Sequence, residues 1–199
     1  MRRKGAKPAR RKPKQERSQE TLQAILDAAA RVLARLGYAR ATTNRIAEAA
    51  GVSVGTLYEY YANKDEVFEA LIQRELGLLS TAFAEQRRER DVPLESAIRA
   101  HLTAGMRAMR HGPELFRALE AVPDAVFRKH LAASRKGVTR LVRQLLETHR
   151  SELRVRDLDL AAFVVVSAVE GVGANATRRD LGGALADELT TLLTRYLVD

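Results

Sequence analysis

Cysteine is absent from this chain of 199 residues, and only five prolines and twelve glycines interrupt it. Without cysteine, a disulfide scaffold, a zinc site built on thiolates and a cysteine nucleophile are excluded. The absence is also compatible with a reducing cytoplasm, where we expect the protein. Because few residues break helices, and alanine, leucine, arginine and glutamate predominate, the composition favours an all-α fold.

Signatures of catalysis and metal binding are lacking too. The four histidines are scattered, and there is no His-Glu-x-x-His pair, no glycine-rich phosphate loop and no Gly-x-Ser-x-Gly turn. We therefore expect no enzyme, no metal and no cofactor. We also expect no membrane span, which needs about 18 predominantly apolar residues in a row. No apolar segment follows the basic N-terminus, so we expect no signal peptide.

Positive charge is concentrated at the N-terminus. Residues 1–17 hold nine basic groups and one acid, and this segment supplies +8 of the net +9. Such a block, with Pro8 and Pro13 and no apolar periodicity, is typical of a disordered arm that seeks polyanions. We favour contact with nucleic acid. The alternatives are a solubilising tail, a remnant without function and attraction to a membrane surface.

Three helices are predicted in the first third of the chain. Apolar residues recur at helical spacing from residue 22 to residue 36, with Ser18 as a plausible N-cap and Gly37 as a plausible end. A short second helix should begin at Thr43 as N-cap and stop at Gly51. Ser53 should cap a third helix from residue 54 to about residue 61.

The second and third helices form a helix-turn-helix pattern. Two short helices joined by a turn of three or four residues that contains glycine cross at a wide angle. Gly51 suits this turn because the backbone there needs a left-handed conformation. In this arrangement the second helix can lie in the major groove of DNA while the first spans the backbone. Asn63 and Glu66 then form a capping-box pattern for a long fourth helix.

Residues 42–65 read Thr-Thr-Asn-Arg-Ile-Ala-Glu-Ala-Ala-Gly-Val-Ser-Val-Gly-Thr-Leu-Tyr-Glu-Tyr-Tyr-Ala-Asn-Lys-Asp. This segment closely resembles the DNA-binding segment of the tetracycline-repressor (TetR) family, and the resemblance covers about residues 20–70. Besides the basic arm already inferred at 1–17, it implies a helix-turn-helix domain at 18–64 and a helical effector-binding and dimerisation domain at 65–199, with about nine helices in all. The function it implies is transcriptional repression by a homodimer that a small-molecule effector releases from a palindromic operator.

The resemblance also implies which residues contact DNA. Thr43 and Lys64 would bind phosphates, residues 54–56 would enter the groove, and Tyr58 and Tyr60 would reach phosphates or base edges. Independently, three of the five tyrosines lie at 58, 60 and 61, and a tyrosine hydroxyl can bind a phosphate. The alternative is that they are ordinary core and surface aromatics. The full predicted set is Thr43, Asn44, Arg45, Val54, Gly55, Thr56, Tyr58, Tyr60 and Lys64.

The C-terminal two thirds resemble the family only in helical layout. Prolines predict helices near 94–110, 113–121 and 123–150. Two further apolar helices, near 158–176 and 184–197, are candidates for the dimer interface, and the alternative is that both belong to the core of the monomer. Side chains between the fifth and eighth helices could bind an effector, although each could equally serve packing. They are Met106, Phe116, Phe127, Phe163, Ser167 and Glu170.

Among those residues Glu170 stands out because it lies among valines. A carboxylate in such a setting must be paired, exposed or functional. If it is buried, it could favour a cationic effector. The remaining alternative for the whole protein is a helical architectural protein that binds nucleic acid through the arm without sequence preference.

Overall fold

The computed structural model describes residues 13–86, 92–109, 111–120, 122, 125–177 and 179–198, with the backbone alone at 13–16 and 125–127. These residues form nine α-helices, two short 3₁₀ turns and no strand, which confirms the expected all-α fold. The 3₁₀ turns are Tyr38–Arg40 and Arg150–Glu152. The helices are α1 Pro13–Leu36, α2 Thr43–Ala50, α3 Val54–Tyr60, α4 Lys64–Gln86, α5 Leu94–Ala108, α6 Pro113–Glu120, α7 Ala125–Thr148, α8 Leu158–Asn175 and α9 Gly183–Val198.

Helix α1 begins earlier than the sequence predicts. It starts at Pro13, five residues before the predicted cap Ser18, and proline is well suited to a first helical position because its fixed φ is already helical. Ser18 therefore does not cap the helix. Its hydroxyl lies 3.2 Å from the Tyr60 hydroxyl instead. The rest of the predicted arm, residues 1–12, lies outside the described residues.

The turn between α2 and α3 has the predicted form. Gly51 adopts the left-handed conformation with φ of 70°. The amide of Gly51 donates to the carbonyl of Glu48 at 3.1 Å, and the amide of Val52 donates to the carbonyl of Ala47 at 3.0 Å. This is the Schellman pattern, which satisfies the last carbonyls of α2 and turns the chain sharply toward α3.

Side-chain caps start each of the next helices. Ser53 caps α3 as predicted, and its hydroxyl accepts from the Thr56 amide at 2.9 Å. The cap of α2 is Thr42 and not Thr43, because the Thr42 hydroxyl accepts from the Arg45 amide at 3.3 Å. Thr43 is thus the first helical residue, and its side chain is left available for other contacts.

Helix α4 begins with a reciprocal pair of caps. Asn63 Oδ1 accepts from the amides of Asp65 and Glu66 at 2.9 and 3.0 Å. Glu66 Oε2 accepts in return from the amide of Ala62 at 2.9 Å, one residue before the position that a capping box normally uses. These bonds fix the angle at which α4 leaves the helix-turn-helix.

Two hydrophobic clusters form the core. The first joins α1–α3 to α4 and also to α6, whose Leu115 and Leu119 are 0% and 1% exposed. The second joins α5, α7, α8 and α9. The first cluster therefore does not end at residue 64, where the sequence placed the boundary, since α4 and α6 complete it. A displacement of α6 would act directly on the packing beneath the helix-turn-helix.

Helix α8 corrects one expectation. Among the described residues it is the one helix long and apolar enough, by length and composition alone, to cross a membrane, contrary to the prediction that no such segment exists. Within the chain 28% of it is buried, and a single helix of this kind is weak evidence for a membrane span. The helix itself agrees with the one predicted near 158–176.

Candidate nucleic-acid interface

Helix α3 presents one face outward and is held by the other. Val54 and Tyr58 are 36% and 51% exposed, and Gly55 and Glu59 are exposed as well. Leu57, on the opposite face, is fully buried in the first cluster. Within the described part of the chain, the protein's own helices leave this ridge uncovered. A rigid helix with a free face is the form that major-groove recognition requires.

Hydroxyl groups link α3 to its neighbours. Thr43 Oγ1 and the Tyr58 hydroxyl lie 3.2 Å apart across the α2–α3 angle. Thr56 Oγ1 lies 2.9 Å from Ser53 Oγ at the start of α3. A single hydrogen serves each pair, so the other hydroxyl of each pair keeps a hydrogen that it can donate to a phosphate oxygen. The structure thus brings together Thr43 and Tyr58, which the sequence predicted separately.

The other two tyrosines are turned inward. Tyr60 packs partly against the first cluster and bonds through its hydroxyl to Ser18 on α1. Tyr61 also packs there, and burial raises the pKa of its phenol, with the Arg74 guanidinium opposing that shift. Of the tyrosines at 58, 60 and 61, Tyr58 is therefore the one whose side chain lies on the exposed ridge.

Lys64 already has partners within the protein. Its ammonium donates to the carbonyl of Tyr38 at 3.2 Å and lies 3.9 Å from the centroid of the Tyr38 ring. The Tyr38 hydroxyl in turn donates to Asp65. A cation held over an aromatic face keeps its other hydrogens available, so this arrangement orients Lys64 at the start of α4. This role of Tyr38 could not be predicted from the sequence, because residues 38 and 64 are 26 positions apart.

The remaining predicted contacts lie at the start of α2. Asn44 is exposed. Arg45 is exposed, and its Nη1 donates to the carbonyl of Arg40 at 2.7 Å, so its side chain is directed toward the 3₁₀ turn at 38–40. Arg45 therefore extends the surface on the side of α2 away from α3.

Two sequence profiles match the chain. The profile described as "Bacterial regulatory proteins, tetR family" covers residues 25–71, and "Tetracyclin repressor-like, C-terminal domain" covers residues 93–197. The second match alone spans more than half of the chain. The protein belongs to the TetR family.

Individual relatives agree with this assignment. Nucleoid occlusion factor SlmA of Haemophilus ducreyi is 36% identical over 110 residues, which are 55% of this chain and 52% of that protein. The chain thus spans about half the length of that relative. The HTH-type transcriptional regulator TtgR of Pseudomonas putida is 44% identical over 57 residues, 29% of this chain and 27% of TtgR.

Solved structures extend the likeness to the whole fold. A TetR-like transcriptional regulator from Rhodococcus sp. RHA1 superposes with a TM-score of 0.71 at 26% identity, covering 93% of this chain and 97% of that one. The fatty acid degradation regulator FadR from Bacillus halodurans reaches 0.74 at 24% identity, covering 87% and 94%. The C-terminal helices therefore follow the TetR arrangement, although few side chains are shared.

Three of the predicted effector residues lie on α8 in this TetR-family chain. On α8, Phe163 is 54% exposed, and Ser167 and Glu170 follow it along the same side of the helix. Arg135 on α7 contacts all three: its guanidinium carbon lies 5.7 Å from the Phe163 ring centroid, Nη2 donates to Ser167 at 2.9 Å, and Nε pairs with Glu170 at 3.0 Å. These residues form a surface cluster.

Glu170 is thus half-exposed and paired, so the condition for a buried anionic site is not met. Partial burial raises its pKa, while Arg135 acts in the opposite direction. Met106 and Phe116 are partly buried, and Met106 packs on the second cluster. The Phe127 side chain lies outside the described residues. Two surface hollows in the described part of the chain are lined by other residues, one between α1 and α2 and one on the outer side of α5.

Proposed function

We propose that the protein is a homodimeric, DNA-binding transcriptional regulator of the cytoplasm, a repressor released from a palindromic operator by a small-molecule effector. The observation that carries the proposal is the exposed ridge of α3, which the first cluster holds from behind. Membership of the TetR family supports the same assignment. Neither the family nor the site supports an enzyme.

Each ridge residue has a role that its chemistry allows. Val54 can contact the methyl group of a thymine, and Gly55 lets the backbone approach the bases closely. The pair formed by Thr43 and Tyr58, linked by their hydroxyls, would donate its remaining hydrogen to a phosphate. Lys64 would donate to another. Asn44, Arg45, Thr56 and Tyr60 complete the proposed set, with Tyr60 acting mainly by fixing α1 against α3.

The proposed dimer uses α8 and α9. Large apolar side chains are exposed on both helices and would stay in contact with water in a monomer. They are Leu160, Phe163, Leu192, Tyr196 and Val198, with exposed fractions of 57%, 54%, 55%, 36% and 37%. Exposed apolar surface on adjacent elements marks an association site. A twofold-symmetric pair would bury these side chains against their own copies and place two α3 helices on one face. This arrangement also accounts for the low burial of α8 within one chain.

Effector release would act by a population shift. An effector that binds better to one conformation favours it, and the conformation concerned would misplace the two α3 helices relative to successive grooves. Helix α4 is suited to transmit this change, since it belongs to the first cluster and also packs on α5 and α7. We retain Met106, Phe116 and Phe127 as candidates for effector contact.

The experiment is selection of bound duplexes from a random pool, followed by footprinting. We expect a short palindrome whose half-sites are about one helical turn, roughly 34–36 Å, apart. Sedimentation at micromolar concentration should show a dimer. Retention of every duplex with equal affinity would favour an architectural binder, and a monomer in solution would contradict the proposed α8–α9 interface.

A further inference from the structure

Four arginines of the DNA-binding helices lie together and lack carboxylate partners. Residues 18–64 contain five basic groups and four acids. Four of the five basic groups are exposed arginines on α1, α2 and the turn between them, and we call them the arginine surface: Arg31, Arg35, Arg40 and Arg45. Helix α3 contributes no basic group and carries Glu59. The positive charge of this domain is therefore segregated to one side.

Several arginines elsewhere in the chain differ from these four because they pair with carboxylates. Among the described residues, none of the four makes an ion pair, whereas several arginines further along the chain do, at positions 74, 99, 117, 135 and 143. Residues 31–50 contain these four arginines and a single acid, Glu48, so this stretch of sequence carries a net charge of +3. Like charges held close together raise the free energy of the folded state unless an anion is nearby.

An open hollow of about 380 Å³ lies among these arginines, between α1 and α2. Its wall is apolar at Val32, Leu36 and Ala49, and its edge carries Arg35, Arg45 and Glu48. Because the hollow is open, a curved row of anionic groups can approach the guanidinium groups there.

Backbone carbonyls hold three of the guanidinium groups in place. Arg31 Nη2 donates to the carbonyl of Ala49 at 3.1 Å, Arg40 Nε to Leu36 at 3.1 Å, and Arg45 Nη1 to Arg40 at 2.7 Å. A guanidinium has five donor hydrogens, so each group keeps four. These bonds to carbonyls explain where the side chains lie, but they do not neutralise the charges of the guanidinium groups.

We propose that the arginine surface binds backbone phosphates of the operator duplex beside the half-site that α3 reads. The inference rests on the proposed function. In a helix-turn-helix the first helix crosses the DNA backbone, and here that helix is α2. Thr43 joins the α3 ridge through Tyr58, while Arg40 and Arg45 lie on the other side of the same helix start. A DNA strand that passes Tyr58 and Thr43 would then continue onto the arginine surface. There each guanidinium can bind a phosphate through two parallel hydrogen bonds.

The test is the salt dependence of operator binding by the triple variant Arg31→Gln/Arg35→Gln/Arg40→Gln. Each lost phosphate contact makes the log–log salt slope shallower by roughly 0.9, so the six changed side chains of a dimer should reduce it by roughly 5. Phosphate-ethylation interference should agree: a group of phosphates outside the bases read by α3 should block wild-type binding when ethylated and have no effect on the variant.

The matched control removes the same charge elsewhere, in Arg107→Gln/Arg156→Gln/Arg179→Gln, whose side chains are exposed in the second half of the chain. This control should keep the wild-type slope and interference pattern. Circular dichroism and urea unfolding check that both variants fold. If the arginine variant matches the control, the proposal is overturned. If the arginine variant keeps the wild-type salt slope but is no longer retained on a polyglutamate column, the arginine surface binds an acidic protein, and the proposal is also overturned. If the wild-type protein selects no palindrome from the random pool, that result contradicts the proposed function itself, whatever the arginine variant does.

Discussion

A buried ion-pair network joins α1, α4 and the α5–α6 loop, and Arg74 is at its centre. Arg74 is 11% exposed and lies 2.8 Å from Asp27 Oδ1 and 2.8 Å from Glu75 Oε1. It also donates to Gln23 at 3.2 Å and lies 3.3 Å from His111 Nε2. Glu75 is 1% exposed, and its second oxygen has no partner among the described residues. We predict that Arg74→Ala strongly destabilises the protein.

The magnitude depends mainly on Glu75. Asp27 is 36% exposed, so water can solvate it once Arg74 is gone. Glu75 would remain buried without its cation, and breaking a buried pair in this way costs about 3–5 kcal/mol. A matched control is Arg99→Ala, which removes an arginine paired with Asp187 at 2.6 Å where both side chains are more than half exposed. Exposed pairs of that kind contribute about 0–1 kcal/mol.

The assay is urea unfolding followed by circular dichroism, at one fixed protomer concentration because dimerisation makes stability concentration-dependent. A third variant, Arg74→Met/Glu75→Leu, removes both charges and should recover much of the loss, since apolar replacement of a buried pair is often neutral. If Arg74→Ala loses no more stability than Arg99→Ala, or if the double variant is less stable than Arg74→Ala, the reasoning about the buried carboxylate is wrong.

Three further predictions concern binding, pH and assembly. Gly55→Ala should preserve stability, because an added Cβ would meet only Ser53 Oγ at 3.6 Å. It should nevertheless weaken operator binding by roughly tenfold, about 1.4 kcal/mol. If a gel-shift titration gives the variant the affinity of the wild type, the backbone at Gly55 does not approach DNA closely. Burial lowers the pKa of His101 below its ordinary 6.5, so its contribution to stability is complete above pH 6.5 and is lost as the pH falls through the folded pKa. His101→Phe should therefore reduce the loss of stability with falling pH, measured as urea unfolding midpoints from pH 7 downward. If the midpoints of the variant fall with pH as steeply as those of the wild type, His101 does not cause the loss. Leu192→Glu places a charge on the exposed apolar side of α9 and should yield monomers in sedimentation, whereas an intact dimer would place the interface elsewhere.

Local signals in the sequence predicted the helix-turn-helix well. Gly51 marked the turn and Ser53 marked the start of α3, because both act through backbone geometry within a few residues. Adjacent threonines were harder to separate. Either could cap α2 by composition, and only the course of the chain before the helix decides that Thr42 does so. The early start of α1 was missed because charged residues around Pro13 show no apolar periodicity.

Contacts between distant residues could not be predicted in the same way. Arg74 and Asp27 are 47 positions apart, and nothing in their local sequence indicates the pair. The same holds for α6, whose apolar side chains fit either cluster by pattern but pack against α1. Phe163, Ser167 and Glu170 were predicted as effector contacts because an effector was expected to bind between the fifth and eighth helices. Their spacing places them on one side of α8, but only the position of Arg135 on α7 shows that this side is a surface.

The central claim is that α3 and the start of α2 form the surface that reads DNA. Amide hydrogen exchange, measured with the palindrome selected by the protein and with a scrambled duplex of equal length, tests it most directly. We expect the amides of residues 43–45 and 54–60 to gain protection with the palindrome and much less with the scrambled duplex. Equal protection by both duplexes, or protection confined to helices other than α2 and α3, would contradict the account.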